Sequence, residues 1–309
     1  MLHRGRGFCR RFGAGRASVF FEPLECLHVP DPRRRRSTRA SVPPFAGRRR
    51  AAIGRAQADL ANVDALDPLL ERLRPRVVLN CAAYNQVDRA ESDAVSAFTA
   101  NTVGPARLAR LCREGDILLV HFSTNYVFGL DAGRRTPYRE DDLPGPQSVY
   151  AASKLAGEYL VQANAGRHLV VRTCGLFGTR GAGVPPVNFV ATMLRLARAG
   201  KPLRVVSDQV CTPTAASDLA AATVALVNAG ANGLFHVTNS GCCSWFDFAR
   251  TIFSLGNVEA DLQPIATAEY QAAALRPEYS VLDCGKALTA GAGPLRPWQE
   301  ALDDYLKTA

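Results

Sequence analysis

The chain has 309 residues, of which 47% are hydrophobic and 21% charged, and its formal net charge is +9 at pH 7. This length suits one large domain or two moderate ones, and the composition is that of an ordinary globular protein. No apolar run is long enough to cross a bilayer, and the nine cysteines lack a C-x-x-C spacing, so we expect no metal site and a reducing, cytoplasmic setting.

The positive charge belongs to the start of the chain. Residues 1–55 hold 14 arginines and three acidic residues, a local balance of +11, so the rest of the chain carries −2. We interpret this arginine-rich segment as a disordered tail or as a misread, out-of-frame stretch, since only 18–21 and 26–29 resemble short strands. An arm that binds nucleic acid and an organellar transit peptide are the functional alternatives. The remainder gives no sign of a nucleic-acid or membrane partner.

From residue 56 onward, buried strands alternate with helices. Strands are predicted at 76–83, 117–123 and 168–173, and helices at 63–73, 94–113, 149–163 and 187–199. This alternation indicates right-handed βαβ crossovers and therefore an α/β fold with a Rossmann-like, doubly wound parallel sheet. We expect residues 56–175 to form this cofactor domain, in which the first βαβ unit is missing or replaced.

The pattern after residue 175 is more mixed. Short strands are predicted at 203–206 and 234–237, and helices at 215–227, from Ser244 onward and at 297–306. Asp247 lies three residues after Ser244, an approximate capping box. We interpret residues 176–309 as a smaller, mixed α/β substrate lobe whose strands are interleaved with the sheet.

One pair of side chains carries recognisable chemistry. Tyr150-Ala-Ala-Ser-Lys154 is a Y-x-x-x-K pattern at the start of a predicted helix, and a spacing of four places both side chains on one helical face. An ammonium group beside a phenol favours the phenolate, which makes the tyrosine a proton donor and acceptor for carbonyl reduction. Alone, the pattern is more often that of an exposed helical pair.

The strand before this helix supports the catalytic interpretation. The run 117–123 is strongly apolar and leads into Ser123 and Thr124. Hydroxyl groups at the carboxyl end of a parallel strand lie where open α/β sheets bind ligands. Thr124 is therefore a candidate to bind the carbonyl oxygen that Tyr150 protonates, although the two hydroxyls would also serve to cap the strand end.

Eight runs of this sequence resemble the dTDP-4-dehydrorhamnose reductase family, in the family's order. They are NCAAYNQVDRAE (80–91), STNYVFG (123–129), PQSVYAASKLAGE (146–158), RTCGLFG (172–178), DQVCTPT (208–214), TNSGCCSWFDFA (238–249), RPEYSVLD (276–283) and RPWQEAL (296–302). The resemblance implies a two-lobed oxidoreductase that uses NADPH or NADH to reduce the C4 carbonyl of a dTDP-4-dehydro sugar to dTDP-L-rhamnose.

The resemblance also implies roles for individual residues. The catalytic set would be Thr124, Tyr150 and Lys154, with Tyr150 as the acid. The cofactor would contact Tyr150, Lys154, Asp59, Leu60, Ala82 and Ala83. The sugar would contact Asn85, Val87 and Tyr126. Asn101 would lie behind the site, Asp208 and Gln209 would shape a loop over the nucleotide, and Asn239 and Trp245 suit substrate contacts or core and cap positions equally well.

Three departures from the family pattern are visible. The glycine-rich turn after the first strand is missing, and Gly13-Ala-Gly15 is only distantly similar to it. That turn lets the backbone and a helix N-terminus approach the cofactor's pyrophosphate. Cys211 replaces a common glycine, which would strain the loop if the position needs a positive φ, and Gly175 stands where many members have tryptophan.

Two other functions remain open. A nucleotide-sugar epimerase would use the same tyrosine and lysine, although the runs at 276–283 and 296–302 speak against it. A non-catalytic relative, such as the regulatory subunit of methionine adenosyltransferase, would act by binding a partner. The sequence leaves the oligomeric state open, a homodimer included.

The missing glycine turn predicts weak cofactor binding. Charge-assisted hydrogen bonds to a pyrophosphate contribute about 1.5–3 kcal/mol each, so losing a few of them weakens binding by several powers of ten at about 1.4 kcal/mol per tenfold. Isothermal titration with NADPH and NADH measures this. A chimera with a standard strand–glycine turn–helix–strand unit in place of residues 1–55 is the control, and we expect it to bind tightly. Micromolar binding by the unaltered chain would contradict the prediction.

Overall fold

A computed structural model of the chain describes residues 18–22, 51–54, 59–60, 66–179 and 188–308. Its strands are β1 Ser18–Glu22, β2 Ala51–Gly54, β3 Val77–Asn80, β4 Leu118–Thr124, β5 Arg167–Thr173, β6 Leu176–Phe177, β7 Leu203–Val206, β8 Val210–Cys211, β9 Thr214–Ala215, β10 Gly233–His236, β11 Cys243–Ser244 and β12 Leu262–Ile265.

The helices that join these strands are α1 Leu66–Leu73, α2 Val87–Ala90, α3 Ala94–Phe98, α4 Gly104–Glu114, α5 Val149–Asn164, α6 Phe189–Arg198, α7 Ala216–Asn228, α8 Trp245–Leu255, α9 Thr267–Tyr270, α10 Gly285–Ala287 and α11 Trp298–Thr308. A π-helical turn, Thr99–Val103, joins α3 to α4, so the helix predicted at 94–113 is present but underwound at its middle. Within the described ranges, no helix is long and apolar enough to span a membrane.

The main sheet has six strands in the order β10-β5-β4-β3-β1-β2. β10, β5, β4 and β3 run parallel to one another, which confirms the predicted parallel sheet for these four. β1 runs antiparallel to both β3 and β2, so the edge is a hairpin-like pair of strands where a βαβ unit would supply parallel ones.

The two edge strands come from the arginine-rich segment. The strand predicted at 18–21 is confirmed as β1, and β2 occupies 51–54, whereas the stretch 26–29 lies outside the described residues. At these positions the structure differs from the disorder expected for residues 1–55. The physical reason is that β3 would otherwise present a row of unpaired backbone groups at the sheet edge.

Both faces of the sheet are covered, as a doubly wound fold requires. Alternate residues of the central strands point to opposite faces: Val78 and Leu119 join the cluster with α1 and α4, whereas Leu79 and Val120 join the cluster with α7 and α10. This period of two places every second side chain in each core.

A third apolar cluster forms the core of the C-terminal part of the chain. It draws its side chains from α6, α8 and α11 and centres on aromatic residues such as Phe248, which is fully buried. The N-terminus of α8 is capped as predicted: the Ser244 hydroxyl accepts a hydrogen bond from Asp247 N at 3.0 Å and donates one to the Asp247 carboxylate.

Close contact between α5 and the π-helical turn yields a stability prediction. A Cβ at Gly157 would lie 2.0 Å from the carbonyl oxygen of Asn101, which is an impossible backbone contact. We therefore expect Gly157→Ala to destabilise the fold by about 1–3 kcal/mol despite the better helix propensity of alanine. Gly166→Ala is the control, because a Cβ there meets only Arg113 at ordinary contact distance. Urea unfolding of the two variants should separate them, and equal stability would contradict the packing.

Candidate active site

The carboxyl end of β4 places hydroxyl groups at the edge of the sheet. Thr124 is the last residue of β4, and its hydroxyl caps the 3-10 turn that follows, accepting a hydrogen bond from Tyr126 N at 3.2 Å. The side chain of Asn125 then donates to the Ser280 hydroxyl at 2.7 Å. This second bond ties the end of the strand to the late run at 276–283.

The start of α5 supplies the phenol and the ammonium group. Ser148 caps the helix by accepting a hydrogen bond from Ala151 N, so the helix begins just before Tyr150. Lys154 is buried, and its Nζ donates to the carbonyl oxygen of Phe122 on β4 at 2.6 Å. Helix and strand are thereby joined directly at the site.

Burial shifts the pKa values of these two groups in opposite directions. It raises the pKa of Tyr150, and the neighbouring Thr124 hydroxyl offsets part of that rise. The net direction is opposite to the lowering that the helical spacing predicted, because desolvation of the phenolate dominates. Burial also lowers the pKa of Lys154 to about 8, and the negative charge of Glu158 offsets part of that lowering.

A hydrogen-bond network behind the site orients the loop after β3. The Asn101 amide accepts from Tyr84 N at 2.8 Å and donates to Tyr84 O at 3.0 Å and to the Ser153 hydroxyl at 2.9 Å. Ser153 in turn donates to the carbonyl oxygen of Tyr150 at 2.8 Å. The asparagine expected behind the site thus connects the cofactor-side loop to α5.

The other four residues predicted to contact the cofactor lie in two different environments. Ala82 is buried at the end of β3, with its N–H bonded to the Asn80 side chain at 3.1 Å, and Ala83 is half-buried beside it. Leu60 is a core residue whose carbonyl oxygen lies against Gly104 of α4. Its side chain therefore packs inward, and only its neighbour Asp59 keeps partial exposure.

The three residues predicted to contact the sugar differ in exposure and in contacts. Asn85 is exposed, Val87 begins α2 and is half-buried, and Tyr126 packs edge-on against Tyr150 with ring centroids 6.2 Å apart. This ring contact places Tyr126 beside the phenol of Tyr150. No contact joins Asn85 to the phenol in the described part of the chain.

A pocket of about 230 Å³ extends from Tyr126 towards residues of α6, β7 and α8. It is lined by Tyr126, Phe189, Met193, Arg204, Val205, Val206, Gln209, Trp245, Tyr270 and Arg276. Two guanidinium groups and an aromatic pair, Trp245 and Phe189 with centroids 4.8 Å apart, suit an anion attached to a planar ring. The arginines were missed from the sequence, although Arg276 opens the run 276–283.

The two smaller departures from the family pattern cause no strain. Cys211 lies in β8 and is not among the described residues with positive φ, so the strain considered for a glycine replacement is absent. Gly175 has a φ of +54°, and its Cβ position would lie 3.1 Å from Pro213 Cα. Glycine suits this left-handed turn, since other residues pay a steric cost there.

Sequence reasoning missed a buried charged cluster beneath the site. Arg172 of β5 donates to both carboxylate oxygens of Glu158, with a shortest distance of 2.7 Å, and the Ser123 hydroxyl donates to the same carboxylate. Arg172 also lies 3.4 Å from His236 Nε2. The signal was present, because Glu158 and Arg172 stand inside the quoted runs 146–158 and 172–178.

The residues of this site that the structure describes fit a nicotinamide cofactor. An ammonium group has three donors, and Lys154 uses one for Phe122 O, so others are available to ribose hydroxyls. Ala83, half-buried beside the buried Ala82, has a side chain small enough to let a ligand approach the end of β3. The stretch where a glycine turn would stand lies outside the described residues.

Comparison with known proteins confirms the resemblance seen in the motifs. The family described as RmlD substrate binding domain matches residues 44–309, and the match begins inside the segment 1–55. The dTDP-4-dehydrorhamnose reductase of Mycolicibacterium smegmatis is 40% identical over 255 residues, which are 82% of this chain and 76% of that protein. The spore coat polysaccharide biosynthesis protein SpsK of Bacillus subtilis is 37% identical over 257 residues, 83% and 87% of the two chains.

The same family appears among solved structures. The crystal structure of dTDP-4-dehydrorhamnose reductase from Bacillus anthracis, in complex with NADP, superposes with a TM-score of 0.78 at 34% identity. The match covers 82% of this chain and 88% of that one.

The buried histidine of the charged cluster yields a pH prediction. Burial and the charge of Arg172 lower the pKa of His236 from 6.5 to about 3. Between these values the unfolded chain binds a proton that the folded chain does not, so stability falls as pH falls, by up to about 1.4 kcal/mol per unit. His236→Asn keeps a donor for the Tyr138 carbonyl but cannot titrate, so we expect a shallower loss. Urea unfolding between pH 7 and pH 4 measures both slopes, and parallel slopes would contradict this assignment.

Proposed function

This chain belongs to the dTDP-4-dehydrorhamnose reductase family, and we propose that it reduces the C4 carbonyl of a dTDP-4-dehydro-6-deoxy sugar with NADPH or NADH. With dTDP-4-dehydrorhamnose as substrate, the product is dTDP-L-rhamnose. The observation that carries the proposal is the assembly of Thr124, Tyr150 and Lys154 where β4 ends and α5 begins, next to a pocket with two arginines.

Tyr150 is the proton donor in this scheme. Its raised pKa keeps the phenol protonated at neutral pH, which is the form required to protonate an oxygen that gains negative charge during reduction. The cofactor, when bound, supplies the hydride. Thr124 lies beside the phenol and donates a second hydrogen bond to the same oxygen, which stabilises the developing charge.

Lys154 has two tasks. With a pKa of about 8 it is mostly protonated at neutral pH, so its positive charge favours the phenolate that remains after proton transfer. Its remaining donors bind the ribose of the cofactor. The hydrogen bond to Phe122 O holds the ammonium group in place for both tasks.

The pocket of the substrate lobe accommodates the nucleotide. Arg204 and Arg276 provide positive charge for a diphosphate. Trp245 presents an aromatic face on which the base stacks. Arg276 is held by a bidentate ion pair with Asp88, at 2.7 and 3.0 Å, so its guanidinium is oriented before the substrate arrives. Tyr126 connects this pocket to the phenol.

A second candidate is a relative that binds a partner without catalysis. The missing glycine turn favours it, because that turn contributes much of the family's affinity for the pyrophosphate. The retained Thr124, Tyr150 and Lys154 favour the reductase. We further propose that residues 56–175 bind the cofactor, that residues 176–309 bind the sugar nucleotide, and that the reaction takes place in the cytoplasm.

Replacement of the phenol tests the reductase directly. We expect Tyr150→Phe to fold normally and to lower kcat by at least about a hundredfold, since a positioned proton donor contributes roughly 10²–10⁴. The measurement is ketosugar-dependent oxidation of NADPH, made with the chimeric N-terminus if the unaltered chain binds cofactor too weakly. Tyr159→Phe is the matched control, because Tyr159 is on the same helix and 53% exposed. A Tyr150→Phe variant at near-full rate would exclude Tyr150 as the acid.

A further inference from the structure

Among the lysine, arginine, aspartate and glutamate residues that the structure describes, three have buried side chains, and all three belong to one cluster. Glu158 is 0% exposed, and Lys154 and Arg172 are each 2% exposed. Buried charges are rare because desolvation is costly, so each needs a partner of opposite sign. Here one carboxylate serves two cations.

The contacts of Glu158 reach three elements of the cofactor domain. The residue is on α5, its carboxylate receives the guanidinium of Arg172 from β5, and the same carboxylate accepts the hydroxyl of Ser123 from β4. Ser123 and Arg172 are paired in register across β4 and β5. The carboxylate therefore fastens α5 across two neighbouring strands.

This attachment lies directly beneath the proposed catalytic set. Ser123 precedes Thr124, and Glu158 follows Lys154 by one helical turn, a spacing that brings two side chains to about 5–6 Å at their Cβ atoms. Thr124 comes from the strand, whereas Tyr150 and Lys154 come from the helix. Their mutual geometry depends on how the helix is held against the strand end.

We propose that Glu158 is a positioning residue of the reductase site, which sets α5 against the end of β4 through Ser123 and supplies the buried negative charge that faces Lys154. The inference rests on the proposed function for its catalytic meaning. Its electrostatic part concerns this chain alone and is measurable without cofactor.

The other groups around Lys154 do not replace this charge. Tyr150, on the same helix, has a raised pKa and is neutral. His121 of β4 is also neutral, since burial and the charge of Lys154 hold its pKa well below the ordinary value. The Cys81 thiol, after β3, acts on Lys154 in the same direction as Glu158 but more weakly.

The groups around Glu158 are equally few. Arg172 forms an ion pair with it at 2.7 Å, and His236 of β10, which touches Arg172, is neutral at pH 7 because its pKa is about 3. Without the carboxylate, two cations would remain buried together. Lys154 would then lose its proton at lower pH, because the negative charge that offsets its desolvation is gone.

A purely structural ion pair with Arg172 is the competing explanation. If the carboxylate served Arg172 alone, its loss would lower stability, leave the titration of Lys154 unchanged, and lower activity only as far as folded protein is lost. The titration of Lys154 and the kcat of folded protein together separate the two explanations.

Lysine NMR is well suited to this test because the whole chain has four lysines. In protein labelled with ¹³C at lysine Cε, the signal of Lys154 is identified by its absence in Lys154→Met. We expect a titration midpoint near 8 in the unaltered chain and a midpoint about one pH unit lower in Glu158→Gln. Ser123→Ala keeps the carboxylate, so its midpoint should not move.

Kinetics test the positioning part. We expect Ser123→Ala to lower kcat about tenfold or more while KM changes less than about twofold, since loss of the tether misplaces Thr124 relative to Tyr150. In Glu158→Gln the alkaline limb of the kcat/KM profile should move to lower pH with the NMR midpoint. Glu114→Gln removes an exposed carboxylate from α4 and should leave both readouts unchanged.

Each result decides one part. An unmoved Lys154 midpoint in folded Glu158→Gln overturns the electrostatic role, and an unchanged kcat in Ser123→Ala overturns the positioning role. If Glu158→Gln does not fold, Ser123→Ala still decides the positioning. If the unaltered chain and the chimera both lack ketosugar reduction while the midpoint moves as expected, the proposed function fails and the charge relation between Glu158 and Lys154 stands.

Discussion

The attachment of α5 to the carboxyl end of β4 is the constraint on which the site depends. The hydroxyls of the proposed catalytic residues Thr124 and Tyr150 come from parts of the chain 26 residues apart, and each is placed by a different element. Two interactions join these elements: the ammonium group of Lys154 donates to a carbonyl oxygen of the strand, and the hydroxyl of Ser123 donates to a carboxylate on the helix. Both are buried, so water does not weaken them.

Burial also explains the chemistry. The low-dielectric environment disfavours charge, which keeps the phenol of Tyr150 protonated and brings the pKa of Lys154 down to about 8. A carboxylate one turn away offsets part of the lowering that burial imposes on the lysine pKa. The environment that keeps the proposed proton donor protonated is thus the one in which a nearby negative charge matters for the lysine.

Much of the fold and of the site follows from local patterns. The strands and helices predicted from 76 onward lie within a few residues of the observed ones, because apolar runs and helical periods reflect the burial of single elements. The paired Tyr150 and Lys154 follow from helical spacing in the same way. Among the features that did not follow are strand β12, the antiparallel direction of β1, and the π-helical turn Thr99–Val103 that packs against α5. Each depends on what lies beside the element, and a linear pattern has no information about that neighbour.

Residue types and their order are sufficient to identify an α/β reductase, its family and the three side chains of its proposed chemistry, because those features are encoded within short runs. The direction of the Tyr150 pKa shift, the inward packing of Leu60 and the shared carboxylate of Glu158 needed the folded chain. Each of them arises where segments distant in sequence exclude water together, and the resulting desolvation is a property of the assembled interior rather than of any single run.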